Sequence, residues 1–564
     1  MTGGDIMKMN RIINTAMALA AITVLASSCD KFLDKMPDNR AEIDSQSKIR
    51  AILTSAYPNN TYLTFSEYMS DNVDNIGDDN PGTSRFVDQC YAWEEITEIT
   101  NDCPKYFWGG CYEAIAHANQ ALLAIQELSG CEDELDPVKV AEAGLGPEMA
   151  EALLCRAYNH FQLVNFFCLA YNAKTADKDL GVPYMEGVET ELNPQYERGT
   201  VKEDYEKIEK DILIALDYVN DAYYKVPKYH FNVKAAWALA TRFWLFYEKW
   251  DKAVEAATNC LGSQPGQVLR NWQARSKLEH DRTVLSNDFI NSSYDSNLLL
   301  MTSYTQFGYY FGYPGITKYS HNSYLSFTEV SYAKNVWGNA ESGWRNVSSW
   351  YWDPPVWYNG STFDQIAFWK IPYLFEYTDP VAGIGYAHAV APAFTMDEVL
   401  LSRAEAYAML GDYDNAAADL NTWAHNMIRP SYFTFDLTKE NIVDFYSAIP
   451  YWKPNAPTIK KHLNPSFKIG VENSVQECLL QCALGFKRIE NVAQGLRWLD
   501  IKRYGIVVYR RTMEPDPDAA QYDAALRVKN GEVDSLSVND LRRAMQIPAD
   551  VISAGLEPNP RPSN

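Results

Sequence analysis

The sequence has few of the residue patterns that mark a catalytic or metal-binding protein. Its ten cysteines form no Cys-x-x-Cys pair and have no His-x-x-x-His companion. No His-Glu-x-x-His or Gly-x-Ser-x-Gly string is present, and Gly383-Ile-Gly385 does not open a Gly-x-Gly-x-x-Gly loop because Ala387 and His388 follow. The sequence therefore predicts no catalytic residue, no metal ligands and no cofactor, and we do not expect an enzyme.

Positive charge and long apolar runs are also scarce. Fifty Lys and Arg face 73 Asp and Glu, which gives a net charge of -23. Nucleic-acid binding relies on clustered Lys and Arg, so this balance argues against it. After the N-terminal region no stretch approaches 18 apolar residues, and we expect no later membrane span.

The one apolar run lies near the N-terminus. Lys8 and Arg11 precede the run from Ile12 to Ala26, and Leu-Ala-Ser-Ser leads directly to Cys29. A basic region, a short apolar region and small residues before a cysteine are typical of a bacterial lipoprotein signal peptide, here residues 1–28, with Cys29 acylated. Each buried methylene of an acyl chain contributes about 0.8 kcal/mol to anchoring. The alternative is a plain secreted protein in which Cys29 is incidental.

The other cysteines and an acidic segment leave alternatives open. Four cysteines, Cys90, Cys103, Cys111 and Cys131, could supply a disulfide in an exported protein, but buried thiols fit the scattered spacing equally well. Cys478 and Cys482 share a helix face, and we favour core packing over a metal site. The acidic residues Asp71, Asp74, Asp78 and Asp79 fail the spacing of an EF-hand loop, so we favour a solvated acidic loop over a calcium site.

Helical periodicity dominates both ends of the chain. Thr200 and Glu203 form a capping-box pattern, and a stripe of apolar residues follows at steps of three and four, namely Val201, Tyr205, Ile208, Ile212, Ala215 and Val219. Pro147 opens another predicted helix with a similar stripe, namely Ala150, Leu153, Ala157, Phe161 and Val164.

Two distant segments resemble each other. Trp250-Asp-Lys-Ala253 aligns with Tyr413-Asp-Asn-Ala416, and a helix of small and aromatic residues precedes each. Residues 404–416 are close to the helix-turn-helix junction of a tetratricopeptide repeat, with Gly411 in the tight turn. The sequence therefore predicts helical hairpins interrupted by a large insertion.

The insertion is rich in aromatic residues. From Tyr304 to Tyr377, 23 of 74 residues are aromatic, against 13% for the whole chain, and only nine are charged. Ring faces suit the apolar faces of sugars, so we predict ligand contact there and name the densest candidates: Trp337, Trp344, Trp350, Tyr351, Trp352, Trp357 and Tyr358. The low charge favours a neutral glycan. The alternative is that most of these rings pack in a core or face a partner.

Two further groups of residues have a distinctive composition. Tyr62, Phe65, Tyr68, Tyr91 and Trp93, together with residues 71–80, form a second polar and aromatic candidate region. Near the C-terminus, Arg497, Trp498, Asp500 and Arg503 indicate a packed, ion-paired helix face, because a buried arginine requires a carboxylate partner.

Motifs along most of the chain resemble those of the SusD/RagB family, the surface lipoproteins that accompany TonB-dependent transporters in Bacteroidota. The matching strings are Cys29-Asp-Lys-Phe-Leu-Asp34, Gly181-Val-Pro183, Arg198-Gly-Thr-Val201, Glu398-Val-Leu-Leu-Ser-Arg-Ala-Glu-Ala-Tyr407, Gly495-Leu-Arg-Trp-Leu-Asp500 and Ile547-Pro548. Gln494 departs from the pattern, which usually has Glu before the glycine. The C-terminal Glu557-Pro-Asn-Pro560 only approximates the familiar Gln-Asn-Pro ending.

The resemblance implies a fold and a function. The expected fold is mainly α, with tetratricopeptide-like helical hairpins and a large irregular, loop-rich lobe that contains short strands. Residues 29–564 would form one SusD-like domain, with a helical scaffold at about 40–260 and 392–564 and a variable insertion at about 265–391. The implied function is capture of an oligosaccharide at the outer membrane surface by a lipid-anchored protein that delivers it to a SusC-like TonB-dependent transporter. A peptide or other nutrient receptor of the same fold, and a scaffold that closes the transporter without binding ligand, remain alternatives.

Overall fold

The structure is a computed structural model, and it describes residues 43–77, 82, 84–191, 194–337, 350–351, 356–360, 363–517, 526–529 and 534–561. Its helices are α1 (Gln46–Leu53), α2 (Leu63–Met69), α3 (Arg85–Tyr91), α4 (Pro104–Leu128), α5 (Pro137–Glu142), α6 (Gly146–Phe167), α7 (Val201–Tyr218), α8 (Val233–Phe246), α9 (Trp250–Leu261), α10 (Trp272–Arg275), α11 (Arg282–Phe289), α12 (Phe307–Gly312), α13 (Ser323–Glu329), α14 (Met396–Leu410), α15 (Tyr413–Met427), α16 (Lys439–Ala448), α17 (Val475–Glu490), α18 (Arg497–Arg503) and α19 (Ala549–Ser553). The strands are β1 (Asp74–Asn75), β2 (Asn297–Tyr304), β3 (Tyr319–Ser320), β4 (Val356–Gly360), β5 (Phe363–Ala367), β6 (Leu374–Asp379), β7 (Ile384–Thr395), β8 (Val508–Tyr509), β9 (Met513–Pro515), β10 (Leu526–Val528) and β11 (Ser535–Leu536). The predicted mainly α fold with short strands is confirmed.

Two helical hairpins occupy the positions that the repeated pattern predicts. One pairs α8 with α9, the other pairs α14 with α15, and the two pack on each other through α9 and α14. Trp250 and Tyr413 are the first residues of α9 and α15, so the aligned tetrapeptides begin the second helix of each hairpin. Gly411 ends α14 with a φ of +82°, a left-handed conformation that glycine adopts without a steric penalty.

Helices α6 and α7 show where periodicity succeeds and where it falls short. Thr200 and Glu203 form both hydrogen bonds of the predicted capping box, and the predicted stripe of α7 is buried up to Ala215. In α6 we expected one buried stripe, whereas nearly every residue is buried. The helix packs against α4 on one side and α7 on another, so it has no broad face left for solvent.

The segment between the two hairpins contains a three-stranded antiparallel sheet. Strand β7 lies between β2 and β6, and His388 of β7 faces Tyr304 on one side and Leu374 on the other. The chain therefore leaves β2 and enters β6 at the same end of the sheet. Strand β7 continues directly into α14, which fixes the sheet to the second hairpin.

Buried ion pairs join this segment to the helical scaffold. Glu329 of α13 accepts hydrogen bonds from Lys461 Nζ at 2.6 Å and from a guanidinium nitrogen of Arg511 at 2.7 Å. Arg488 lies 3.4 Å away. Burial by itself raises the pKa of Glu329, but these three cations outweigh it and lower the pKa to about 2.

The expected solvated acidic loop is wrong for Asp71 and Asp74, which are buried. Asp71 accepts two hydrogen bonds from Arg497, at 2.8 and 3.0 Å, and Asp74 accepts two from Arg511, at 3.0 and 2.9 Å. The partners lie more than 400 residues away in sequence, so no local pattern could reveal them. Asp78 and Asp79 lie outside the described residues.

The late helix face is packed and ion-paired as predicted, and of the two alternatives left open for the cysteines the structure shows buried thiols. Arg497 pairs with Asp71, Arg503 with Glu405 at 2.8 Å, and Trp498 is fully buried. The nine cysteines after Cys29 are all free and buried, Cys478 and Cys482 among them. The described residues contain no group of three or more His, Cys, Asp or Glu that could hold a metal. Within the same residues, no helix combines the length and hydropathy that a bilayer crossing requires.

Candidate functional site

Two of the predicted ligand-binding tryptophans lie in the core. Trp337 and Trp350 are 7% and 1% exposed, and their rings meet edge to face with centroids 5.1 Å apart. Trp337 also lies 5.4 Å from the ring of Phe486 in α17. A buried ring offers no free face to a ligand, so for these two the structure agrees with core packing, the alternative that the sequence left open.

The structure describes the other predicted ligand-binding residues only in part. Tyr351 is partly exposed, and the Arg429 guanidinium lies 5.3 Å from its ring centroid. Trp357 and Tyr358 belong to β4, of which only the backbone is described. Trp344 and Trp352 lie outside the described residues. Ligand contact by these residues stays a prediction.

The second aromatic region predicted from the sequence is also part of the core. Its five rings are between 0% and 7% exposed. Tyr62 and Phe65 both pack against Phe166 of α6, at 4.9 and 5.4 Å, and Tyr91 stacks on Tyr319 at 4.1 Å. These five rings therefore offer no free face to a ligand, and residues 78–80 of the region lie outside the described residues.

Three tyrosines that the sequence did not single out form an exposed cluster at the end of the sheet. Tyr309 belongs to α12, Tyr313 follows that helix, and Tyr373 precedes β6. The Tyr309 ring centroid lies 5.4 Å from that of Tyr313 and 5.6 Å from that of Tyr373, and the other two are 6.3 Å apart. Tyr309 is 37% exposed, and its neighbours are partly exposed. We call these three residues the tyrosine cluster.

A glycine brings the members of the cluster together. A Cβ atom at Gly308 would lie 2.6 Å from the backbone carbonyl of Pro372, a distance that no side chain tolerates. Only glycine lets α12 approach the backbone at Pro372 and Tyr373 this closely. The approach carries Tyr309 onto Tyr373.

Asp102 fixes the turn between β2 and α12 from the scaffold side. Its buried carboxylate accepts hydrogen bonds from the Thr64 hydroxyl at 2.6 Å, from the Gln306 backbone N–H at 2.8 Å and from the Thr305 hydroxyl. Burial raises the pKa of Asp102, and these bonds to the charged form offset the rise only in part. The bonds from Thr305 and Gln306 therefore hold the turn that leads to Tyr309, and the bond from Thr64 ties Asp102 to α2.

Further rings are exposed on the sheet itself. Tyr304 and Tyr386 are 41% and 52% exposed, with centroids 5.7 Å apart. Phe375 and Tyr377 are also exposed, and their centroids are 4.8 Å apart. Phe375 pairs with Ala387 in the register, next to Tyr386. Because successive residues of a strand point to opposite faces, the two ring pairs lie on opposite sides of the sheet.

The tyrosine cluster offers two kinds of contact at once. Its rings present apolar faces, and no hydroxyl of the three has a hydrogen-bond partner within the described part of the chain. A ligand with flat apolar patches bordered by hydroxyl groups would match both features. The arrangement can therefore bind such a ligand by stacking and by hydrogen bonds from the phenol hydroxyls.

A separate cleft of about 390 Å³ lies between residues 93–105 and the C-terminal residues 542–561. Apolar side chains such as Ile96, Ile99 and Ile547 contribute to its lining, and Lys105 on its rim pairs with Asp550 at 3.1 Å. None of the tyrosine cluster lines it.

Comparison with known proteins places the fold. Residues 31–245 match the family described as "Starch-binding associating with outer membrane", a SusD-like family. A SusD superfamily protein from Bacteroides thetaiotaomicron superposes with a TM-score of 0.54 at 17% identity, over 91% of this chain and 98% of that one. One from Bacteroides fragilis gives 0.56 at 17% identity, over 90% and 98%. The chain thus resembles the SusD-like family over residues 31–245 and has the fold of SusD superfamily proteins over about nine-tenths of its length.

The family resemblance seen in the sequence is thus confirmed. A laminarin-binding SusD-like protein also matches this SusD-like protein, with a TM-score of 0.50 and 16% identity over 92% of this chain and 99% of that one. No curated protein matches it by sequence. At such identities the structural likeness establishes the fold and does not transfer a ligand.

The sequence contained a signal for the tyrosine cluster of this SusD-like protein. Tyr309-Tyr-Phe-Gly-Tyr-Pro-Gly315 combines rings with the turn residues Gly and Pro, a composition that favours exposed turns over strands. The density of tryptophan between residues 337 and 358 is the stronger compositional signal. Large apolar rings are more often buried than exposed, so tryptophan density was a poor guide to an exposed site.

Proposed function

We propose that this SusD-like protein captures a glycan on the tyrosine cluster and delivers it to a SusC-like TonB-dependent transporter at the cell surface. The observation that carries the proposal is the cluster itself, in which three rings support one another and remain partly exposed. Its position is fixed by Gly308 and Asp102. A preformed aromatic surface binds without a large loss of conformational entropy.

The chemistry of the cluster favours a sugar over a peptide. A sugar ring has an apolar C–H face and a rim of hydroxyl groups, which match the ring faces and free phenol hydroxyls. The family description names starch, and the name of one structural neighbour names laminarin. Neither name refers to a catalysed reaction, which supports a binding role.

Binding to the cluster is tested with two variants and one control. Tyr309→Ala and Tyr373→Ala should each weaken binding to the best oligosaccharide of a broad array about tenfold, or about 1.4 kcal/mol. Tyr106→Ala is the matched control, because Tyr106 is 41% exposed but lies on scaffold helix α4. Affinity would be measured by isothermal titration calorimetry, with thermal unfolding to check the fold.

Three results would contradict the proposed capture of a glycan on the tyrosine cluster. If the wild-type protein binds peptides but no oligosaccharide, the chain is a peptide receptor. If it binds neither but still associates with the transporter, it acts as a scaffold. If all three variants bind the oligosaccharide as tightly as the wild type does, the glycan binds elsewhere, for example on the predicted tryptophans.

Lipid anchoring at Cys29 is part of the same proposal. Cys29 lies outside the described residues, and support comes from the basic and apolar regions before it and from the family description, which refers to the outer membrane. Labelled fatty acid should be incorporated by the wild-type protein and not by Cys29→Ala. Incorporation into both would place the acyl chain on another residue.

Delivery to the transporter has its own test. A tagged form of the protein should co-purify with a TonB-dependent barrel protein from outer membranes solubilised in mild detergent. If the anchored protein purifies alone under conditions that preserve other membrane complexes, the transporter partnership is refuted and glycan capture would stand by itself.

A further inference from the structure

Arg282 differs from every other arginine that the structure describes. Each of the others forms a hydrogen bond or an ion pair; Arg275, for example, pairs with Asp288 at 2.8 Å. The Arg282 guanidinium forms neither within the described residues. Its Cζ lies 3.7 Å from the ring centroid of Tyr313 in the tyrosine cluster, close enough for a cation–π attraction.

The two carboxylates at the ends of α11, those of Asp281 and Asp288, have other partners. Asp281 caps α11 by accepting hydrogen bonds from the backbone N–H groups of Thr283 and Val284, at 2.8 and 3.1 Å. Asp288 is paired with Arg275 and also accepts a hydrogen bond from Tyr294. The charge on Arg282 is therefore not neutralised from its own helix.

We propose that Arg282 and Tyr313 form an anion-binding subsite beside the tyrosine cluster, and that the captured glycan carries a carboxylate or sulfate group. This rests on the proposed function and refines it. A guanidinium held over a ring can still donate from its edge, in a fork that matches the oxygens of either group. In a chain with a net charge of -23, an anionic ligand needs a local cation of this kind.

The inference replaces the neutral glycan that the sequence favoured. That expectation rested on the low charge of residues 304–377. Arg282 lies outside that stretch, and only the fold brings it onto Tyr313. Trp369 helps to hold this arrangement, because its indole N–H donates to the Gly312 carbonyl, next to Tyr313, at 3.3 Å.

The test uses an array of matched oligosaccharide pairs. Each uronate is compared with its neutral methyl ester, and each sulfated sugar with its desulfated form. The wild-type protein should bind one anionic sugar about tenfold more tightly than its neutral counterpart. If that sugar is a uronate, the recognised group is a carboxylate; if it is a sulfated sugar, the recognised group is a sulfate. Arg282→Gln should abolish the preference, so that it binds the anionic and the neutral member of that pair with equal affinity.

Lys277→Gln is the matched control, because Lys277 is exposed, lies five residues away and carries the same charge. Lys277→Gln should retain the full preference for the anionic sugar. If it loses that preference, the net charge of the protein explains the preference and the subsite is overturned. Equal wild-type binding of both members, or a preference that survives in Arg282→Gln, also overturns the inference while the proposed function stands. Absence of all oligosaccharide binding by the wild type would refute both. Thermal unfolding of both variants shows whether they are folded.

Discussion

Replacing Glu329 by Gln should destabilise the protein by about 3 kcal/mol at pH 7. The pKa of this buried carboxyl is lowered from an ordinary value of 4.5 to about 2. Each tenfold change in that equilibrium corresponds to about 1.4 kcal/mol, which gives the magnitude. The physical reason is that Lys461, Arg488 and Arg511 would remain buried without the carboxylate that pairs with them.

The same shift fixes the pH dependence. Because the folded-state pKa is lowered, the stabilisation is fully present above pH 5 and is lost as the pH falls from 4.5 towards 2. The difference between the wild type and Glu329→Gln should therefore shrink by about 2 kcal/mol between pH 7 and pH 3. Urea unfolding followed by tryptophan fluorescence at the two pH values measures it.

Glu472 supplies the control for this experiment. It pairs with His462 at 2.7 Å, but both side chains are more than half exposed, so Glu472→Gln should change the free energy of unfolding by less than about 0.5 kcal/mol. Equal stability of Glu329→Gln and wild type at pH 7 would refute the reasoning. A stability difference between these two proteins that stays constant from pH 7 to pH 3 would refute it as well.

Three further predictions concern the scaffold. Gly411→Ala should lower the free energy of unfolding by about 1 kcal/mol, because the φ of +82° at Gly411 is left-handed. Gly109→Ala is the control and should stabilise the protein, because Gly109 lies in the interior of α4 with no atom near an added Cβ. A Gly411→Ala variant more stable than Gly109→Ala would contradict the left-handed conformation of Gly411. Thr200→Ala should cost about 1 kcal/mol through loss of the capping box, with Thr200→Ser close to wild type in thermal unfolding. The nine cysteines after Cys29 should resist Ellman's reagent in the native protein and react after unfolding, because they are buried. Burial also raises the pKa of the Cys478 thiol to about 11. Rapid reaction of several thiols in the native protein would show that they are accessible.

Features that depend on a few neighbouring residues could be predicted from the sequence. The capping box at Thr200 and the hairpin turn at Gly411 each require only residues within one turn of a helix. The start of α9 at Trp250 and of α15 at Tyr413 follows from the same local pattern. These predictions are confirmed because the atoms that decide them are close in sequence.

The candidate site could be predicted only in part. Aromatic composition indicated the stretch from Tyr304 to Tyr377, and the tyrosine cluster lies within it. Composition could not show that Trp337 and Trp350 are buried or that Tyr309 is exposed. Exposure depends on which other parts of the chain cover a ring, and a single sequence does not contain that information.

The sequence by itself determined the helices, their caps and hairpins, and the resemblance to SusD-like proteins, since these depend on local spacing and on motifs in a fixed order. The tertiary structure decided which charges are buried and which rings meet. Asp71 pairs with Arg497, and Arg282 contacts Tyr313, only after distant segments have packed together. The physical reason is that burial and pairing are properties of contacts between segments, whereas helix formation is largely a property of the segment itself.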